Sequence, residues 1–187
     1  MKLINRIQSL HRLSPSASDW LESRIQSVEF KKNTVLVHAG EVCHNLYYIN
    51  SGLLCGFYFA EGNEVCNWIA SEGDFATSYY SFVSGKPGYE TIQCFENCKL
   101  EQIAITDIKE LYRLHPESEK IGRLILEDYY LRAEERFISI QFKSAKERYL
   151  YLLEKRPEIV RRAPIGKIAT YLGMKLETLS RLRSEVL

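Results

Sequence analysis

The chain has 187 residues, enough for one domain of ordinary size and a small second one, and its 45% hydrophobic content supports a packed core and excludes disorder. Its net charge of +1 is unevenly spread: residues 143–187 hold 11 Lys and Arg against 5 Asp and Glu (+6), and residues 1–142 hold 14 against 19 (−5). No apolar run approaches membrane-spanning length, and the amphipathic start MKLINRIQSLHRLSP lacks the apolar core of a signal peptide, so a cytoplasmic protein with no membrane partner is expected.

Residues 2–27 read as short helices, with Ser14-Pro15 as a start signal because Pro loses no needed hydrogen bond at the first helical position. From about Val28 to Ile105 the texture changes to short strands: TVLVHAG, NLYYINSG, LLCGFYFAEGNEVCNWIA, GDFA, YETIQCFE and CKLEQIAI. Turns fall at Ala39-Gly40, Ser51-Gly52, Glu61-Gly62-Asn63, Glu72-Gly73-Asp74 and Gly85-Lys86-Pro87-Gly88. Strands this short and evenly spaced predict an antiparallel barrel or jelly roll. The odd, scattered cysteines (Cys43, Cys55, Cys66, Cys94, Cys98) read as buried reduced thiols, with Cys94 and Cys98 on one face of a strand. Thr106 opens a short helix that ends at His115-Pro116.

A long helix follows from about Glu117 to Gln141. Leu126, Tyr130, Ala133, Phe137 and Ile140 are spaced 4, 3, 4 and 3 apart, a heptad seam suited to a parallel homodimer. A second apolar set, Ile121, Leu124, Ile125, Leu131 and Ile138, is expected to pack on the barrel. Ser144 with Glu147 then forms a capping box opening a helix that runs to about Arg156, which puts a boundary near residue 142. The predicted divisions are a barrel with N-terminal helices (1–116), a dimerisation helix (117–142) and a C-terminal domain (143–187).

In that last part, IGKIATYLGMKLETLSRL places Ile168, Ala169 and Leu172 on one face of a first helix and Leu179 and Leu182 on one face of a second. Ala169 lets the helices cross closely, and Gly173 supplies the positive φ of the turn. This is the register of a DNA-binding helix-turn-helix, and the basic charge of the segment suits a phosphate backbone. The second helix offers Glu177, Thr178, Ser180, Arg181 and Arg183 to the outside. Glu177 can accept from cytosine N4, while Lys167, Lys175 and Arg183 read as phosphate contacts.

Enzymatic chemistry finds no support. No histidine lies between Asn45 and Leu114, so a cupin metal site cannot form on the central strands. No metal site is expected, His38 and His44 reading as a solvated loop. Walker and GxGxxG signatures are absent, and no nucleophile–base constellation can be named.

Barrel, long helix and helix-turn-helix, in this order, resemble the Crp–Fnr family of bacterial transcription regulators. YYINSGLL resembles the strand and glycine turn before the family's central hairpin, EGDF the lead into its ligand cassette, and IATYLGMKLETLSRLR its recognition motif in short Bacteroidetes-type members. The resemblance implies an α+β fold: an antiparallel jelly-roll barrel of the cyclic-nucleotide-binding type, a long dimerisation helix and a small helix-turn-helix domain without a wing. It implies a homodimer that reads an inverted-repeat operator in double-stranded DNA, with Arg181 as a base or phosphate contact and RNA polymerase as a further partner.

The departures concern the ligand. Cyclic-nucleotide binders of this fold place Gly-Glu soon after the GDF-like segment and Arg-Ser/Thr about ten residues later, for ribose and cyclic phosphate. Here Thr77-Ser78 stands at the first place and Gly88-Tyr89 at the second, and no Arg lies between Ile25 and Tyr112. A phosphodiester without its guanidinium loses one of its strongest interactions, so cAMP and cGMP are not expected as ligands and no cofactor is. Thr77, Ser78, Tyr79, Tyr80, Tyr89 and Thr91 remain as a candidate pocket, either aromatic and open or filled. Lys175-Leu176 stand where the family has a Ser/Thr cap, which leaves an alternative function: a sensor or interaction module without efficient DNA binding.

Overall fold

The structure, a computed structural model, describes residues 2–60 and 62–186. Met1, Leu187 and Glu61, the first residue of the expected 61–63 turn, lie outside the described residues. Helices α1 (Leu3–Leu10) and α2 (Pro15–Glu22) come first; the Ser14 hydroxyl accepts from the Ala17 amide at 3.3 Å, and Pro15 fills the first helical position. Then come β1 (Gln26–Phe30), β2 (Val35–Val37), β3 (Asn45–Ser51), β4 (Leu54–Ala60), β5 (Asn63–Ala70), β6 (Phe75–Ala76), the helix α3 (Tyr79–Ser84), β7 (Thr91–Cys94) and β8 (Cys98–Ala104). They form two four-stranded antiparallel sheets, in the orders β1-β8-β3-β6 and β2-β7-β4-β5. Between them Ile49, Leu54, Ile92, Cys94 and Leu100 make a closed core.

Strand β1 starts two residues inside the stretch read as helical, at Gln26 and Ser27, and runs on into the stretch read as strand from Val28. Of QSVEF only Val28 and Phe30 are apolar, too little for a strand signal, yet all five residues pair with β8. Cys94 and Cys98 do not share one strand: a turn over 95–97 sends them to β7 and β8, in different sheets. All five cysteines are buried and free. Gly52 turns the chain at φ +116° directly over Cys98, whose Cα would lie 2.9 Å from any Cβ there.

Helix α4 (Ile105–Leu114), a 3₁₀ turn (Pro116–Ser118) and the 24-residue α5 (Glu119–Phe142) follow. Next come α6 (Ala145–Lys155), α7 (Pro157–Arg162), α8 (Ile165–Tyr171) and α9 (Leu176–Val186). The Ser144–Glu147 capping box opens α6, with both reciprocal bonds made. The six-residue helices α3 and α7 are too short to leave a 3.6-residue pattern, and neither is anticipated from sequence.

The second apolar set of α5 divides. Ile121 is buried, Leu124 is half-buried, and Ile125 packs with α1, α2 and α4, but Leu131 (60% exposed) and Ile138 (44%) face outward. The barrel side of the distal half of α5 belongs instead to Tyr129, which stacks on Tyr79 of α3, and to Arg132 and Arg136, which reach Asp74 and the Cys66 carbonyl. Nor does the C-terminal segment own a private core. Tyr149, Leu152, Ile159, Ile168, Leu179 and Leu182 pack in one cluster with Leu53, Cys55, Phe57, Cys66 and Phe95 of the barrel. No described helix is long and apolar enough to cross a membrane.

Candidate nucleic-acid interface and ligand sites

Helix α8 ends in a Schellman turn. The Gly173 amide donates to Thr170 and the Met174 amide to Ala169, with Gly173 at φ +62°. Ile168, Ala169, Leu172, Leu179 and Leu182 are all buried between α8 and α9 and on the barrel. This leaves one face of α9 in solvent. Lys175, Glu177, Ser180 and Arg181 are exposed, while Thr178 and Arg183 are half-buried at its margins. The Arg181 side chain is 74% exposed, its nearest carboxylate being Glu185 at 4.0 Å.

Lys167 stands elsewhere than sequence suggests. It is paired with Glu64 at the tip of β5 and lies over the Phe57 ring at 3.9 Å, with its side chain 16% exposed. A phosphate could reach it only after release from Glu64. Among the described residues it is one of three cations of the C-terminal helices paired with carboxylates of the barrel. Arg162 reaches Glu72 at 2.8 Å and Glu96 at 2.6 Å, and Arg156 reaches Asp74 at 2.7 Å. The Glu72 carboxyl falls to about 2, chiefly because the Arg162 guanidinium bonds its charged form. Part of the charge asymmetry that suits DNA is therefore spent on docking basic helices against an acidic roll.

The six candidate pocket residues do not converge. Thr77, Ser78 and Thr91 are buried inside the roll. Tyr79 turns outward to stack on Tyr129 of α5 with ring centroids 3.7 Å apart, while Tyr80 and Tyr89 pair with each other on the surface at 4.7 Å. The space behind α3 is closed by short-range bonds. Thr77 donates to the Asn45 carbonyl at 3.0 Å, Ser81 accepts from the Cys43 amide at 2.9 Å, and Gly88 approaches so near Ser78 that a Cβ would sit 2.6 Å from its Oγ. Next to Tyr89, Glu90 is buried and accepts from the Trp68 indole at 2.7 Å, its carboxyl pushed up by burial.

A cavity of about 440 Å³ opens elsewhere, between β5 and β6, helix α5 and the C-terminal helices. Of the six residues only Thr77 and Tyr79 line it. Its cations, Arg132, Arg136, Arg148, Lys155 and Arg156, come from α5 and α6 and the turn after it, and sequence alone does not single them out. Charged residues on helices read as solvated faces until two helices are seen to converge.

The expected dimer seam also divides. Leu126 (46% exposed), Tyr130 (62%) and Phe137 (60%) stand open on the outer face of α5. Ala133 and Ile140 line the cavity, and Ile140 lies beside Gly173 of the α8–α9 turn, 3.8 Å from where a Cβ would stand.

Residues 27–115 match the cyclic nucleotide-binding domain family. No curated protein sequence matches the chain. Among solved structures it is similar to a crp/fnr-family protein from Eubacterium rectale, at TM-score 0.75 and 17% identity over 97% of this chain and 87% of that one. FixK2 from Bradyrhizobium japonicum gives 0.74 and 17% over 87% and 84%. CLP of Xanthomonas campestris, described as a c-di-GMP responsive global regulator, gives 0.71 and 17% over 92% and 91%.

Proposed function

We propose that this chain, a Crp–Fnr-type protein by fold with a cyclic nucleotide-binding domain over residues 27–115, is a dimeric DNA-binding transcription regulator that does not bind cyclic nucleotides. The observation that carries the reading is α9. Its apolar side, Leu179 and Leu182, is buried, and its outward side presents Lys175, Glu177, Ser180 and Arg181 with Thr178 and Arg183 at the edges. A helix held from behind with polar groups on its first two turns can enter a major groove and reach base edges. Two copies joined along α5 would carry their recognition helices about 34 Å apart, one turn of duplex, and read an inverted repeat.

The phosphate chemistry of a cyclic nucleotide finds no partner in the roll. No Arg stands between Ile25 and Tyr112, and Glu90 puts a buried carboxylate beside the segment where the phosphate would bind.

A mobility-shift titration against a selected inverted repeat tests the reading. Arg181→Ala should cost roughly 1–3 kcal/mol and relax base preference at one position per half-site. Lys175→Ala should weaken all sequences alike and flatten the salt dependence by about one phosphate. If the parent chain binds no duplex, or Arg181→Ala binds the operator unchanged, α9 is not a reader and the interaction-module alternative replaces this one.

A further inference from the structure

We infer that the cavity between the roll, α5 and the C-terminal helices is a ligand site for an organic dianion with a flat ring, of the phosphomonoester class. The volume, about 440 Å³ between elements far apart in sequence, is of the size and placement that small ligands occupy. Charge selects the ligand. Asp74 is shared by Arg132 at 2.8 Å and Arg156 at 2.7 Å, Lys155 pairs with Glu154 at 2.9 Å, and Glu135 lies 3.5 Å from the Tyr151 hydroxyl. Arg136 and Arg148 remain; among the described residues their hydrogen-bond acceptors are main-chain carbonyls, and Arg136 also lies over the Tyr171 ring at 5.2 Å. Arg136 donates to Cys66 and Tyr171, each at 3.2 Å, and Arg148 to Leu172 at 2.7 Å, Lys143 at 2.5 Å and Gly173 at 3.3 Å.

Carbonyls satisfy N–H groups but carry no net charge, so among the described residues neither guanidinium has a carboxylate at ion-pair distance, the remaining cavity carboxylate, Glu135, being bonded to the Tyr151 hydroxyl. The Arg136 Nε–H is also buried without an acceptor among the described residues, so part of this guanidinium's hydrogen-bonding capacity is unmet. Two such charges match a dianion. A phosphomonoester supplies one above a second pKa of about 6, and guanidinium forks fit its oxygens. A cyclic phosphodiester carries a single charge. The walls are suited to a ring: Tyr79 and Tyr129 stack on one side, and Tyr151 and Tyr171 line the C-terminal side. Because the walls belong to both the roll and the α6–α9 helices, occupancy favours the docked arrangement over any other.

This site does not depend on DNA binding, and its test is read without DNA. Calorimetry and thermal shift on the full chain use 5′-GMP and 4-nitrophenyl phosphate as probes, with inorganic phosphate and 3′,5′-cGMP for comparison. At least one of the two ring-bearing monoesters should raise Tm and bind about tenfold or more tighter than either comparison compound. A preference for 5′-GMP identifies a nucleoside monophosphate, and a preference for the nitrophenyl ester a smaller aryl phosphate. Arg136→Gln should weaken binding about tenfold. Ser139→Phe narrows the cavity while keeping every charge and should do the same, which preserves the test where the arginine variant does not fold. If neither monoester binds, if cGMP binds as tightly, or if binding is unchanged in a folded Arg136→Gln or Ser139→Phe protein, the assignment is overturned.

Discussion

Arg162 holds the carboxylates of Glu72 and Glu96, and Glu72 also accepts from the Gly52 amide at 2.8 Å. A carboxyl lowered to about 2 in the folded chain adds stability that is complete above its usual 4.5 and is lost as pH falls through 2. The pair is partly exposed, so Arg162→Ala should cost about 1–2 kcal/mol at neutral pH rather than the full shift. Chemical denaturation at pH 7 and pH 3 should show the difference between parent and Arg162→Ala shrinking in acid; an equal difference at both would separate the bond from its charge. Inside the roll, Trp68 lies flat over Gly56, where a Cβ would sit 2.3 Å from the indole, and bonds Glu90. With that carboxylate buried and no arginine near, cAMP and cGMP should give little heat and no change in Tm. A micromolar Kd for either by calorimetry would restore an ordinary cyclic-nucleotide sensor.

Helix α5 is apolar on a side that no other described element covers. Leu126, Tyr130, Phe137 and, further round, Leu131, Ile138 and Phe142 stay exposed, a larger face than the heptad seam alone. A second copy of α5 is the cover that the proposed function requires. Phe137→Asp should then yield monomers on sizing with light scattering, since burying two carboxylates across a two-fold axis costs several kcal/mol. A variant that stays dimeric would mean that Phe137 lies off the interface. At the other end of the same helix, the Ser144 cap restarts the chain as α6. Ser144→Ala removes the acceptor for the Glu147 amide and should lower stability by about 1 kcal/mol in urea melts, with little effect on DNA binding.

Across the whole molecule, the C-terminal helices and the barrel share one apolar cluster, joined at its edge by Lys167–Glu64, Arg162–Glu72 and Arg156–Asp74. Separating them would expose Phe57, Phe95 and Ile69 on one side and Leu152, Ile159 and Ile168 on the other, at about 1.5–3 kcal/mol for each large side chain fully uncovered. The chain should therefore melt in a single calorimetric transition, with amides of β5 and α8 exchanging at the same free energy. Two resolved transitions would show that residues 143–187 fold by themselves. The order of elements, strands, then a long helix, then two short helices about a glycine turn, was legible because each has its own local signal: β-rich segments between turns, the 3.5 spacing in α5, and the small residues Ala169 and Gly173.

Local chemistry determined what the sequence could announce by itself. Glycine at 52 and 173, Ser14-Pro15, the Ser144–Glu147 box and the apolar register of α8 and α9 act within a few residues of themselves, so their outcome does not wait on the rest of the chain. The absence of arginine between Ile25 and Tyr112 is of the same kind, since it is read from the roll's own sequence without reference to any other segment. Only the tertiary structure decided that the first strand starts at Gln26 and pairs with β8, that Tyr79 leaves the roll for Tyr129, and that Lys167 meets Glu64. It alone brought Arg136 and Arg148 to one cavity from two helices. Each of these outcomes turns on which residue distant in sequence arrives opposite. Pairing, stacking and charge compensation are properties of two partners, and periodicity along a single chain carries the address of only one.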